Sequence, residues 1–247
     1  MSEPKVGNPS AADLAAEDEG PGFIGPESPC PYLPGRLSRS EAYCLETLDG
    51  GTYEALLSLG FRRSGRIVYR PRCRACRECR QIRVPVATFQ PSRSQRRVMR
   101  RNTDVRATLG RPTPTLDKFD LFRRYLDAQH DRTMSREYRS FVDFLYESPM
   151  ETREISYFLA DRLVGVSIAD CCVNGISSVY MYYDPDFARR SLGTYSILWE
   201  IEHCRALGLP YYYLGFYVAG SATMAYKGNF RPFEVLVEAD RWAIDPA

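Results

Sequence analysis

The chain has 247 residues, of which 44% are hydrophobic, and this length suffices for one large core or two small ones. It contains no apolar run of the roughly 18 residues that a membrane span needs, and its first twenty residues lack the basic start and apolar middle of a signal peptide. We therefore expect a cytoplasmic protein without a membrane partner, whose eight cysteines are reduced or metal-bound rather than paired in disulfides.

The formal net charge of +2 hides a very uneven distribution. The segment 62–101 contains 14 arginines and one acidic residue, whereas residues 1–29 contain one lysine and six acidic residues. A block this basic favours binding to nucleic acid with a marked salt dependence. A solvated surface without a partner is the alternative interpretation.

Residues 1–28 are rich in glycine, proline, alanine and acidic residues, so we predict a disordered acidic tail. Residues 29–112 are predicted to form a small basic, cysteine-rich domain. Its predicted elements are a helix over Tyr53–Leu59, strands over Ile67–Tyr69 and Ile82–Val86, and a helix over Ser92–Arg101 with a serine cap. The last of these helices has arginines over most of its surface, and we expect it to face phosphate.

Three cysteines with two residues between neighbours, Cys73, Cys76 and Cys79, lie in the connection between the two predicted strands. Thiolates at such short spacing are typical ligands of a metal ion. A fourth thiolate would come from Cys30 or Cys44. Reduced thiols that only pack the connection are the alternative.

Residues 113–247 are predicted to form a second, α/β domain. Its predicted elements are helices over Leu116–Ala128 and Phe141–Tyr146, strands over Ile155–Ala160, Leu163–Cys171 and Ile176–Tyr183, a helix over Tyr195–Leu207, and strands over Tyr211–Val218 and Phe233–Ala243. An antiparallel meander that leads into a helix through a short polar turn resembles the GNAT-type acyltransferase fold. The turn, Arg190-Ser191-Leu192-Gly193-Thr194, approximates the loop with which such folds direct backbone N–H groups toward phosphate.

Several short blocks resemble one known family. They are Cys30-Pro-Tyr-Leu-Pro-Gly-Arg36, Gly60-Phe-Arg-Arg-Ser-Gly65, Val68-Tyr-Arg-Pro71, Arg93-Ser-Gln-Arg-Arg97, Tyr183-Asp-Pro-Asp186, Ser191-Leu-Gly-Thr-Tyr195 and Met224-Ala-Tyr-Lys227. Together they resemble the aminoacyl-tRNA protein transferases, especially the compact bacterial members that transfer leucine, from about Cys30 to Trp242. In eukaryotic relatives, cysteines of this region hold zinc or an iron–sulfur cluster, so the resemblance implies the same for this chain. The first block of those relatives carries a second cysteine where this chain has Leu33.

The resemblance implies that an amino acid moves from the 3′ end of a charged tRNA to the amino terminus of an acceptor protein, which marks that protein for degradation. For the bacterial branch the donor is Leu-tRNA and the acceptor begins with Asp or Glu. Because the donor is already an activated ester, we expect direct aminolysis with no required cofactor and no Cys-His or Ser-His nucleophile. The chain has only two histidines, His130 and His203.

The candidate catalytic residues are Asp184, at the end of the third meander strand, and Lys227. Lys227 and Arg231 are also expected to bind an acidic acceptor or a terminal phosphate. The residues predicted to bind substrate or tRNA are Arg93, Gln95, Arg96, Arg97, Arg190, Ser191, Gly193, Thr194, Tyr226 and Arg231. The predicted metal ligands are Cys30, Cys73, Cys76 and Cys79.

Three other functions stay open at this point. The first is transfer of arginine instead of leucine. The second keeps the GNAT-like fold but takes its acyl group from coenzyme A. The third is an RNA-binding module without catalytic activity, which the basic block alone would support.

Overall fold

The computed structural model describes residues 22–129 and 134–245, and within these ranges the fold is mixed α/β. The strands are β1 (Phe23–Ile24), β2 (Ser28–Pro29), β3 (Leu37–Ser38), β4 (Ser40–Cys44), β5 (Arg62–Ser64), β6 (Ile67–Pro71), β7 (Arg80–Pro85), β8 (Val105–Gly110), β9 (Thr152–Leu159), β10 (Arg162–Cys171), β11 (Gly175–Tyr183), β12 (Tyr211–Tyr217), β13 (Glu234–Glu238) and β14 (Arg241–Ile244). The helices are α1 (Gly50–Ser58), α2 (Arg93–Arg101), α3 (Leu116–Ala128), α4 (Tyr138–Leu145) and α5 (Leu192–Ala206), with two short 3-10 helices, η1 (Pro185–Arg190) and η2 (Ala225–Asn229). In the part of the chain that the structure describes, the helices are too short or too polar to span a bilayer.

The centre of the fold is an eight-stranded sheet with the order β14-β13-β7-β12-β11-β10-β9-β8. Its neighbouring strands are antiparallel except for β11 and β12, which run parallel. That parallel pairing covers only Gly175–Ser177 and Tyr211–Tyr213. Beyond this point β11 and β12 are not paired with each other, which opens a gap toward their carboxyl ends.

Side chains at successive positions of a strand point to opposite faces of the sheet. Helices cover both faces. On one face, α5 buries Ile197, Leu198 and Ile201 against β7, β12 and β13. On the other face, α3 and α4 bury Phe122 and Phe141 against β10 and β11. The sheet is therefore the middle layer of the molecule, and its strand ends define where a site can open.

A smaller sheet, β1-β4-β6-β5, packs with α1 beside the central sheet, and β2 pairs with β3. One ion pair joins the two sheets: Arg63 of β5 donates two hydrogen bonds of 2.7 Å to the carboxylate of Asp170 on β10. Both side chains are completely buried. The short strand β5 is thereby fixed against the central sheet.

Most of the elements predicted from sequence are confirmed. Helix α3 has the predicted bounds, and β9, β10 and β11 form the predicted antiparallel meander. Ser92 caps α2: its hydroxyl accepts a hydrogen bond from the backbone of Gln95, whose side chain in turn accepts one from the backbone of Ser92. This reciprocal arrangement satisfies two of the unpaired donors at the helix start.

The predicted single strand over Phe233–Ala243 is wrong, because the chain turns back at Asp240 and forms the β13–β14 hairpin. Asp240 has a φ of 57°, in the left-handed region that tight turns require. Strand β8 and the small sheet were not predicted. The central sheet takes β7 and β8 from before residue 112 and its other strands from after it, so the division into domains 29–112 and 113–247 stays a prediction.

Candidate functional site

Arg62 lies in the gap where β11 and β12 separate. It is only 5% exposed, and its Nη1 donates a hydrogen bond of 2.7 Å to the hydroxyl of Ser177, while Nη2 donates to the carbonyl oxygen of Ser178. On the β12 side the guanidinium lies against Gly215, which has a φ of 87°. This left-handed backbone favours glycine, and a Cβ atom at Gly215 would come within 3.3 Å of the guanidinium and press on it.

Lys227 lies in η2 next to Arg62. Its Nζ donates a hydrogen bond of 2.8 Å to the carbonyl oxygen of Phe216 on β12, and the residue is 8% exposed. Burial, followed by the nearby charge of Arg62, lowers the pKa of Lys227 to about 7. At neutral pH both the ammonium and the neutral amine are therefore populated.

A pocket of about 450 Å³ opens on the side of η2 that faces away from the side chain of Lys227. Four residues that the sequence suggested as binding residues line it: Gln95, Thr194, Tyr226 and Arg231. Its walls come from the start of α2, the first turn of α5 and η2. The structure thus brings residues that are far apart in the sequence to one concave surface.

The start of α5 faces this pocket through Thr194 and carries no local counter-charge. Ser191, the residue before the helix, has a φ of 56° and makes no side-chain capping hydrogen bond, and the first turn contains no acidic residue. The free N–H groups of a helix start attract anions. A Cβ at Gly193 would only reach ordinary contact distance from Tyr183, so sterics alone do not demand glycine there.

The basic helix α2 presents Arg93, Arg96 and Arg97 to solvent. Gln95 has a different role, since it is buried and its Nε2 donates a hydrogen bond of 3.0 Å to the carbonyl oxygen of Asn229. This bond fixes α2 to the end of η2. The exposed arginines are therefore held beside the pocket of 450 Å³ by Gln95, which itself lines the pocket.

Arg190 is engaged in contacts within the protein. Its guanidinium donates to both carboxylate oxygens of Asp104, at 2.7 and 2.9 Å, and to the carbonyl oxygen of Arg101 at 3.0 Å. These contacts join η1 to the end of α2. A direct contact of Arg190 with tRNA stays a prediction, and the arrangement gives this side chain a positioning role.

Asp184 directly follows β11 and its side chain is completely buried. Its two oxygens accept hydrogen bonds from Arg124 at 2.8 and 3.1 Å and from Arg162 at 2.6 Å. Burial raises the pKa of this carboxyl, but the hydrogen bonds from the two arginines outweigh it, so the pKa lies below its usual value. Asp184 thus joins α3 and β10 to the end of β11, and its role as a base stays a prediction.

The four cysteines predicted as metal ligands lie close together. Burial, followed by the negative charges of Cys30, Cys73 and Cys76, raises the pKa of Cys79 to about 12, and Arg36 donates a hydrogen bond of 3.3 Å to the sulfur of Cys76. Across residues 22–129 and 134–245, no group of three or more potential ligand side chains is arranged to hold a metal ion. These residues as placed do not fit zinc or an iron–sulfur cluster.

Of the two histidines, His130 lies outside the described residues. His203 lies on α5 and stacks on Trp199, with ring centroids 5.1 Å apart. Sequence reasoning missed Arg62 as a functional candidate. The available signal was its place in the block Gly60-Phe-Arg-Arg-Ser-Gly65, which contributed to the family resemblance without assigning roles to its two arginines.

The comparisons with known proteins establish the class of this protein, which is a transferase that acts with charged tRNA. Residues 28–97 match the model described as "Arginine-tRNA-protein transferase, N terminus", and residues 117–237 match that of the C terminus. The chain belongs to this arginine-tRNA-protein transferase family, and the prediction made from the short sequence blocks is confirmed.

Two relatives share the name aspartate/glutamate leucyltransferase. The protein of Nitrosococcus oceani is 40% identical over 230 residues, which cover 90% of this chain and 94% of the relative. The protein of Chromobacterium violaceum is 38% identical over 221 residues, which cover 88% and 91%. Among solved structures, the crystal structure of FemX is 8% identical, with a TM-score of 0.44 over 83% of this chain and 86% of FemX.

Proposed function

We propose that this protein transfers leucine from Leu-tRNA to the amino terminus of acceptor proteins that begin with Asp or Glu. The observation that carries the proposal is the pocket between α2, α5 and η2, with exposed arginines at its rim and the two buried cations Arg62 and Lys227 next to it. The names of the relatives support the choice of leucine and of acidic acceptors. A cytoplasmic location follows from a tRNA substrate.

The pocket suits the 3′ end of the donor. The free N–H groups at the start of α5 and the guanidinium of Arg231 are donors for a phosphate, and Tyr226, 46% exposed, offers a ring for base stacking. Arg93, Arg96 and Arg97 extend this positive surface for the RNA backbone. A parallel strand pair that separates beside a helix start is also what we expect of a GNAT-like transferase.

In the proposed reaction the acceptor's α-amine attacks the ester carbonyl carbon of leucyl-tRNA. A C–N bond forms, the bond to the ribose oxygen breaks, and that oxygen gains a proton while the amine loses one. Holding the two reactants together can lower such a barrier by about 7–11 kcal/mol. An α-amine with a pKa of about 7.7–8.0 is partly neutral at pH 7, so binding and orientation are the main tasks of the protein. No step passes through a metal or a covalent enzyme intermediate.

The test is incubation of the protein with a peptide that begins with Asp, together with separately charged Leu-tRNA, Arg-tRNA or acetyl-coenzyme A. We expect incorporation of leucine only. The same peptide with an acetylated amino terminus is the control, because it offers no free amine. Transfer of arginine alone would refute the leucyl assignment, acetylation alone would indicate a coenzyme A enzyme, and RNA binding without any transfer would indicate a binding module.

A further inference from the structure

Arg62 and Lys227 form a pair of buried cations without a carboxylate. Both are more than nine-tenths buried, and their hydrogen bonds go to neutral oxygen atoms of Ser177, Ser178 and Phe216. Within the described ranges neither side chain takes part in an ion pair. A buried charge without a counter-charge is unfavourable, so this gap favours the binding of an anion.

Other arginines of the same region are neutralised within the protein. Arg63, the next residue after Arg62, pairs with Asp170 at 2.7 Å, and Arg70 and Arg72 share Glu41 at 2.7 and 2.6 Å. The fold therefore supplies acidic partners where a basic side chain has a structural role. The missing partner at Arg62 sets this residue apart from its neighbours.

The pair lies directly beside the proposed donor pocket. Tyr226 and Gly228 line that pocket, whereas the residue between them, Lys227, extends toward Phe216 of β12. A single turn of η2 thus separates the donor side from the two cations. An anionic group bound at the cations would belong to a second substrate that approaches the ester from the side of the gap.

We propose that Arg62 and Lys227 bind the side-chain carboxylate of the acceptor's N-terminal Asp or Glu and so select acidic acceptors. This inference rests on the proposed function above. The remaining N–H groups of Arg62 and the ammonium of Lys227 are strong donors for a carboxylate. An RNA phosphate is the less suitable occupant of this site. The exposed arginines of α2 and the exposed Arg231 are already available to the phosphates of the tRNA donor, whereas Arg62 and Lys227 are buried.

The experiment compares two peptides that differ only in an N-terminal Asp or Asn, with wild-type protein, Lys227→Met and Arg62→Met. For each variant we expect kcat/KM for the Asp peptide to fall about tenfold to a hundredfold, the usual effect of losing a hydrogen bond to a charged group. The Asn peptide should change by no more than about threefold, because its uncharged amide forms no charge-assisted hydrogen bond with the pair. Each variant should therefore lose preference for Asp.

The ratio of the two kcat/KM values is independent of the folded fraction, since both peptides are measured with one preparation. Arg241→Gln, which removes an exposed positive charge from β14, is the control and should keep the wild-type ratio. An unchanged ratio in both Lys227→Met and Arg62→Met would overturn the inference. So would a higher KM for Leu-tRNA at an unchanged ratio, which would assign the pair to RNA. If wild-type protein transfers no leucine at all, the proposed function fails instead.

Discussion

At the scale of single residues, Lys227 makes the gap between β11 and β12 sensitive to pH. Burial, followed by the charge of Arg62, lowers the pKa of Lys227 to about 7. The ammonium, which can bind a carboxylate, therefore predominates toward pH 6, is about half populated near pH 7 and is largely lost toward pH 9. An Asp side chain is ionised throughout this range because its usual pKa is about 3.9.

We therefore predict that the preference for an Asp over an Asn peptide decreases as the pH rises from 6 to 9. The kcat/KM values report groups of the free enzyme and the free peptide, so each is first corrected for the neutral fraction of that peptide's α-amine, because the neighbouring carboxylate makes the amine of the Asp peptide more basic. In Lys227→Met the ratio should be lower and independent of pH. A wild-type ratio that stays constant over this range would show that the protonation state of Lys227 does not affect the preference for the Asp peptide.

The buried carboxylate of Asp184 gives a second prediction for a single residue. Asp184→Asn should lower the free energy of unfolding by roughly 1–3 kcal/mol in urea titrations, because Arg124 and Arg162 lose a charged acceptor. The pKa of Asp184 is lowered in the folded state, so this contribution is present above about pH 4 and is lost as the pH falls through the folded pKa.

Asp186→Asn is the matched control for Asp184→Asn, because Asp186 lies beside the same two arginines but is 69% exposed. Its effect should stay within about 0.5 kcal/mol. If Asp184→Asn unfolds like wild type, the pair with Arg124 and Arg162 contributes nothing. If its kcat falls further than the folded fraction explains, Asp184 also acts in the reaction.

At the scale of secondary-structure elements, β5 is joined to the central sheet by the pair between Arg63 and Asp170. We predict that Arg63→Met lowers the free energy of unfolding by roughly 3–5 kcal/mol, since it leaves a buried carboxylate without its partner. The double variant Arg63→Met with Asp170→Leu should recover much of this loss. Denaturant titrations of both variants provide the measurement.

The control for the β5 pair is Arg66→Gln. Arg66 is 43% exposed and lies 4.0 Å from Glu147, so its removal should cost no more than about 1 kcal/mol. Equal effects of Arg63→Met and Arg66→Gln would mean that the buried pair does not hold β5 in place. Because Arg62 precedes Arg63, a displaced β5 would also disturb the gap between β11 and β12.

Elements that depend on local signals could be predicted from the sequence. Helix α2 has a serine cap and good helix formers, and helix α3 has a threonine cap and a clear apolar period. The turn at Asn174 separates two apolar strands. Strand β5 consists of Arg62–Ser64 and has no apolar alternation, so only its pairing with β6 defines it. The hairpin at Asp240 was missed because the apolar residues on either side of it resemble one continuous strand.

The candidate site, like these elements, could be predicted only where the signal was local. Gln95, Thr194 and Tyr226 lie in family-like blocks, and Arg231 was suggested by its charge. The fold brings all four to one pocket. The separate roles of the arginines in 62–101 were not predictable, since the sequence gives them all the same charge. Burial and partners, which are long-range properties, distinguish the buried Arg62 from the exposed side chains of α2.

At the scale of the whole molecule, much less of the basic block is available to RNA than its sequence charge suggests. Arg62 and Arg63 are buried, Arg70 and Arg72 pair with Glu41, and Arg83 pairs with Glu234. The exposed remainder is concentrated on α2, beside the proposed donor pocket. The orientation of the bound tRNA should therefore depend chiefly on this helix.

This leads to a prediction for the triple variant Arg93→Gln, Arg96→Gln, Arg97→Gln. Each phosphate contact contributes about 0.7–0.9 to the slope of log K against log salt concentration, so three lost contacts should reduce that slope by about 2–3. Binding of Leu-tRNA at several salt concentrations provides the measurement. The Asp-to-Asn preference should not change, because the acceptor carboxylate binds on the other side of η2.

The matched control Arg123→Gln, Arg139→Gln, Arg241→Gln removes the same charge from exposed positions elsewhere. If the control triple lowers the slope as much as the α2 triple, net charge rather than a defined helix surface binds the tRNA.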